Sequence, residues 1–158
     1  MSQWTHILGV IRFDSMGANC YPKPPEKDFI LKTQASTVNA IFNSNLPAGS
    51  EGPLEINTFL TERGPTVLIT GDLRDFGKED LREVLEWVND CVSKAHKKYK
   101  QIKSFHELYH LRDGIVYCEV EYDDTLYLIR KIKSDDLDTQ RMFYLDEVQR
   151  PTDSKKTG

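Results

Sequence analysis

The sequence predicts an α+β fold: a ferredoxin-like βαββαβ core extended by a C-terminal β-hairpin or meander. Three observations predict it. Short apolar runs alternating with period two recur along the chain, one long segment carries helical periodicity, and Gly, Pro, Asn and Asp punctuate the runs. With 158 residues, 39% apolar and 29% charged, the chain has material for one core and a well-solvated surface. Residues 1–150 read as one domain and residues 151–158 as a flexible polar tail.

Residues 4–13, WTHILGVIRF, read as a first strand. Alternation places Ile7, Gly9, Ile11 and Phe13 on one face, and Trp4, His6, Leu8, Val10 and Arg12 on the other. Residues 14–28 carry Gly17, Pro22, Pro24 and Pro25 and read as a loop. Ala35, Val38, Ile41 and Phe42 fall at helical spacing within 33–43. After the Gly- and Pro-dense LPAGSEGP come two strands, 54–61 and 65–73, joined at Glu62-Arg63-Gly64 as a hairpin. The clearest helix is 78–98, with a stripe of Leu81, Val84, Leu85, Val88, Val92 and Ala95. Acidic Glu79 and Asp80 open it and Lys94, Lys97 and Lys98 close it, complementing the helix dipole. Residues 104–111, 115–122 and 125–133 then read as a three-stranded meander turning at Asp113-Gly114 and Asp123-Asp124, with a short element at 140–148. In this arrangement the helices cover one face of the sheet and leave the other available.

Composition narrows the function. A net charge of −4 opposes a dedicated duplex-DNA binder, so nucleic acid is not the expected partner. No apolar run is long enough to span a bilayer, and MSQWTHILGVIRF lacks the pattern of a secretory signal. Cys20, Cys91 and Cys118 show no CxxC spacing and read as reduced thiols. A cytoplasmic protein without a membrane partner is expected.

Five features carry candidate chemistry. His106-Glu107-Leu108-Tyr109-His110 spells HExxH, which binds zinc when a helix brings both histidines to one side. Here the segment alternates like a strand, where residues four apart lie roughly 13 Å from one another, so no zinc is expected. The loop containing Gly49, Ser50, Glu51 and Gly52 could converge backbone N–H groups on an anion, although a tight turn is the simpler reading. Asp72 and Asp75 could hold a cation, but capping the long helix and pairing with Arg74 is simpler. The open sheet face, with Trp4, His6, Arg12, Glu55, Asn57, Phe59 and Thr70, has the mixed aromatic and polar character of a recognition surface. Lys94, Lys97, Lys98, Lys100 and Lys103 read as a solvated helix end.

Trp4-Thr5-His6, Leu46-Pro47 with Gly49-Ser50-Glu51-Gly52, and Gly71-Asp72-Leu73-Arg74-Asp75-Phe76 together resemble a pattern in small phage and prophage proteins of uncharacterised activity. The resemblance covers roughly the first half of the chain. It implies an accessory phage product that acts by binding, for example by blocking a host defence protein or sequestering a nucleotide signal.

A non-enzymatic binding protein is therefore expected, without cofactor or metal. Its ligand contacts are expected at Trp4, His6, Arg12, Gly49, Ser50, Glu51, Gly52, Asn57, Phe59, Asp72 and Arg74. A metal-assisted hydrolase or phosphodiesterase, using His6 or His106 with Asp72 and Asp75, is the enzymatic alternative. A structural or assembly component is the third. An uncovered sheet face or strand edge also invites homo-oligomer formation.

Overall fold

The computed structural model of the protein describes residues 2–15, 26–61, 63–100, 109–132 and 142–149. The elements are β1 (Trp4–Ser15), α1 (Glu26–Phe42), β2 (Ala48–Gly49), β3 (Gly52–Pro53), β4 (Glu55–Thr61), β5 (Gly64–Arg74), α2 (Leu81–Lys100), β6 (Tyr109–Val120), β7 (Thr125–Lys131) and β8 (Phe143–Gln149). Six strands form one antiparallel sheet in the order β4-β5-β1-β6-β7-β8, and β2 pairs with β3 in a separate small hairpin. The architecture is α+β. Helix α1 packs against β4 and β5, and α2 against β6 and β8.

Alternation on the central strands decides which side is core. Ile7, Ile11 and Phe13 of β1 are buried with Val67, Ile69 and Leu73 of β5, and with Val116, Cys118 and Val120 of β6. Helix α2 buries Leu81, Val84, Val88, Val92 and Ala95, the stripe its periodicity predicts, together with Trp87 and Cys91, while Leu85 is partly buried against them. Each fully buried Leu or Val of that stripe contributes about 1.5–3 kcal/mol. An edge-to-face aromatic series links three elements. Phe13 of β1 meets Phe42 of α1 at 6.1 Å, and Phe42 meets Trp87 of α2 at 5.8 Å.

One buried polar side chain fastens β8 to this core. Asn89 of α2 accepts hydrogen bonds from the backbone N–H groups of Met142 and Phe143 through one oxygen, and donates to the Phe143 carbonyl. All three partners are backbone groups that would otherwise lie unsatisfied away from water.

The structure departs from the sequence expectations in four places. Asp113-Gly114 is no turn: β6 runs straight through it, with Asp113 opposite Arg12 and Gly114 opposite Ile11 on β1. Glycine is needed there for close packing, because a Cβ would lie 2.9 Å from two atoms of the Phe143 ring. A register shift between Arg12 and Phe13 follows at once, a bulge in this pair. The meander therefore consists of β6, β7 and β8. Second, Asp72 and Asp75 do not cap the long helix. A 3-10 turn, Lys78–Asp80, leads into α2, and the Asp80 carboxylate accepts the Gly77 N–H at 2.8 Å. Third, α1 is 17 residues long and begins at Glu26, inside the segment expected to be loop. Fourth, β1 continues to Ser15. Residues 101–108, hence His106 and Glu107, lie outside the described residues, as do Cys20, Lys103 and the tail 151–158. Among the described residues, no helix is long and apolar enough to cross a membrane.

Candidate functional site

Both helices pack on one side of the sheet, and among the described residues no helix covers the other. Cross-strand register assembles it in rows. One row runs Asn57, Leu68, Val10, Ile115, Arg130, Tyr144; the next runs Glu55, Thr70, Leu8, Tyr117, Leu128, Asp146. Leu8 is 54% exposed, Phe59 53% and Tyr117 43%, on strands central to the sheet or at its β4 edge. Leu128, on the same side, is buried and forms part of the floor. Scattered exposed hydrophobics are ordinary, but adjoining exposed apolar side chains on one sheet face are the mark of a docking surface. A shallow open depression of about 380 Å³ lies between Val10, Arg12, Asp113, Gly114 and Ile115.

Charged groups close the face at both ends. At one end His6 stands between two carboxylates. Its Nδ1 is 2.6 Å from Asp72 of β5, and its Nε2 is 2.9 Å from Glu121 beyond β6. Two carboxylate acceptors require both ring nitrogens to donate, which is the imidazolium form. The hydrogen bond to Asp72 is the largest influence holding the His6 pKa above its ordinary value; partial burial opposes it and Glu121 adds to it. Neither ring nitrogen is left to serve as a base, a nucleophile's partner or a metal ligand. At the other end Arg12 grips Asp113 through two bonds, from Nε at 2.7 Å and from an Nη. This pairing is the chief cause of a lowered Asp113 pKa, and Arg112 and Lys131 add to it.

The glycine loop folds onto the first of these ends. The β2–β3 hairpin packs against the end of β5 so closely that a Cβ on Gly49 would lie 2.5 Å from both the N and O atoms of Arg74. The Ser50 N–H donates to the Arg74 carbonyl and the Ser50 hydroxyl to Asp75. Arg74 donates to Glu51 at 2.9 Å and to the Ser2 hydroxyl at 3.0 Å. The Ser50 and Arg74 donors are thus turned onto the protein's own carbonyl, carboxylate and hydroxyl oxygens.

Trp4, His6, Gly49, Ser50, Glu51, Gly52, Asp72 and Arg74 gather at one end of the sheet. Arg12 lies at the other end of β1, and Asn57 and Phe59 lie on the edge strand β4. Sequence reading missed Glu121 and Asp113, the partners of His6 and Arg12. Only the β1–β6 register brings them close, so no local signal marks them. Among the described residues, no group of three or more His, Cys, Asp or Glu is arranged to hold a metal ion. Cys91 and Cys118 are free, buried thiols, each pushed up to about 12 chiefly by burial, so neither is a ready nucleophile.

Compared with protein-family models, curated proteins and solved structures, the chain gives no match.

Proposed function

We propose that this is a non-enzymatic binding protein that captures another protein on the open face of its sheet. The observation that carries the reading is the apolar strip of exposed Leu8 and Tyr117 with half-buried Val10, Leu68 and Ile115, which no described helix covers and which ion pairs frame. An apolar centre inside a polar rim is the anatomy of a protein interface. Protein is favoured over a nucleotide signal because Arg12, Arg74 and the Ser50 donors already serve internal groups. It is favoured over metal-assisted hydrolysis because both His6 nitrogens are held by carboxylates. The likeness to small phage proteins adds the expectation of an accessory product that blocks a host protein in the cytoplasm.

The finer fold reading belongs with this proposal. The order β4-β5-β1-β6, with α1 after β1 and α2 after β5, supports a ferredoxin-like core to which β7 and β8 are added.

A photo-crosslinking residue placed at Leu8 or Tyr117, and as a control at Arg82 on the exposed side of α2, tests the proposal in the cell of origin. The partner crosslinked from the sheet face is then purified and titrated against the intact protein. Saturable 1:1 binding that Leu8→Asp weakens at least tenfold supports capture. Crosslinks that favour Arg82, or binding that ignores Leu8→Asp, refute it.

A further inference from the structure

The open face is polarised along the strands, and that polarity selects an occupant. At the His6 end lie Asp72, Glu119, Glu121 and Asp124, with Glu119 directly across from His6. At the Arg12 end, Arg12, Arg112 and Lys131 lie around Asp113, with Lys131 ending β7 on the helix side, and Arg63 pairs with Asp14. His6 to Arg12 spans six residues of β1, roughly 20 Å. Among the described residues, carboxylates outnumber cations at the first end, where Arg74, paired with Glu51, joins His6, and cations outnumber carboxylates at the second, where Arg63, paired with Asp14, adds one of each. Between them lies the apolar strip.

We infer that a second copy of this chain packs on this face, its sheet turned end for end so that the acidic end of each copy meets the basic end of the other. The two-fold axis lies between the sheets and across the strands, passing near Gly9, so Leu8 of one copy comes over Val10 of the other. The alternative axis, along the strands, would set carboxylates against carboxylates, a repulsion that disfavours it. Sheets stacked face to face lie about 10 Å apart with interdigitated side chains, which suits the Leu, Val, Ile and Tyr side chains of this strip. Six strands at about 4.8 Å spacing and roughly 20 Å of strand give a plane of about 500 Å², and side-chain relief brings the buried area toward that of a standard interface. The inference rests on reading this face as a docking surface. A foreign partner that uses the face must displace the second copy.

Sedimentation equilibrium of the full chain, from about 1 μM to about 1 mM, tests it. Wild-type protein is expected to reach twice the chain mass, and Leu8→Asp to shift the midpoint at least tenfold toward monomer while keeping its circular dichroism. Charge reversal supplies the sharper arm. R112E/K131E makes both ends acidic, and E119K/D124K removes the excess of negative charge from the other. Each double variant alone is expected to be monomeric over most of the range, and an equimolar mixture to regain the dimer. A wild-type chain that stays monomeric throughout overturns the inference, and the crosslinking experiment above then decides separately whether a foreign protein uses the face. A dimer indifferent to Leu8→Asp and to both double variants also overturns it, since it must use another surface, such as the β4 or β8 edge.

Discussion

The Nδ1 of His6 lies 2.6 Å from the Asp72 carboxylate on the neighbouring strand, while its Nε2 donates to Glu121 on the opposite side. A histidine so held joins β5, β1 and the β6–β7 turn across the end of the sheet. Because its pKa is raised in the folded protein, its contribution to stability is fully present below the unfolded value of about 6.5 and is lost as pH rises through the folded value. The side chain is 40% exposed, so solvent screening keeps the effect small. Urea midpoints measured from pH 5.5 upward should fall for wild type in that window and stay flatter for His6→Gln. Equal slopes for the two proteins would show that the pairs contribute nothing. Asp113, lowered chiefly by Arg12, acts in the opposite sense: its contribution is present above about pH 3.9 and is lost as pH falls through its folded value.

Gly114 is a packing position. A Cβ there would press on Phe143 at 2.9 Å and on Ile11 at 3.3 Å. Gly114→Val should destabilise by about 2 kcal/mol, the cost of overpacking a core. A change below about 0.5 kcal/mol in chemical denaturation would contradict the continuous β6 strand, since surface and turn positions tolerate such changes.

The misreading of Gly114 shows where sequence stops being informative. Asp-Gly between alternating runs is a sound hairpin signal, but the same glycine also serves wherever another side chain approaches the backbone. Local sequence cannot tell the two apart; the ring of Phe143, 29 positions downstream, decides it. By contrast, β1, β4, β5 and the buried stripe of α2 were legible because a half-buried element writes its period into its own residues. The open face was legible for the same reason: Trp4, His6, Arg12, Glu55, Asn57, Phe59 and Thr70 all lie on it. Its ion pairs were not, since His6–Glu121 and Arg12–Asp113 join residues more than 100 positions apart.

Asn89 holds the start of β8 through two accepted and one donated hydrogen bond. Asn89→Leu leaves the N–H groups of Met142 and Phe143 buried without that acceptor. The expected loss is about 2–4 kcal/mol, from an unmet-donor cost of about 1–3 kcal/mol each and partial relief by water. Amide exchange at β8 should rise more than at β1. A uniform small change across the sheet would mean that other contacts hold β8 in place.

Tyr122 stands 81% exposed at φ 65° in the turn between β6 and β7. A bulky side chain in the left-handed region costs about 1–2 kcal/mol, a strain that glycine does not carry. Relief of that strain exceeds the roughly 0.5–1 kcal/mol of extra unfolded-state entropy that glycine brings, so Tyr122→Gly should stabilise the fold by about 0.5–1 kcal/mol. Thermal unfolding with a lower midpoint than wild type would refute that reading of the turn.

The most direct measurement is solvent paramagnetic relaxation of side-chain methyl groups, with and without the crosslinked partner, in protein dilute enough to be monomeric. Bound partner should shield Leu8, Val10, Leu68 and Ile115 while leaving the helix-covered side unchanged. Undiminished relaxation at those four positions in the saturated complex, with shielding elsewhere, would contradict the sheet face as the place of capture.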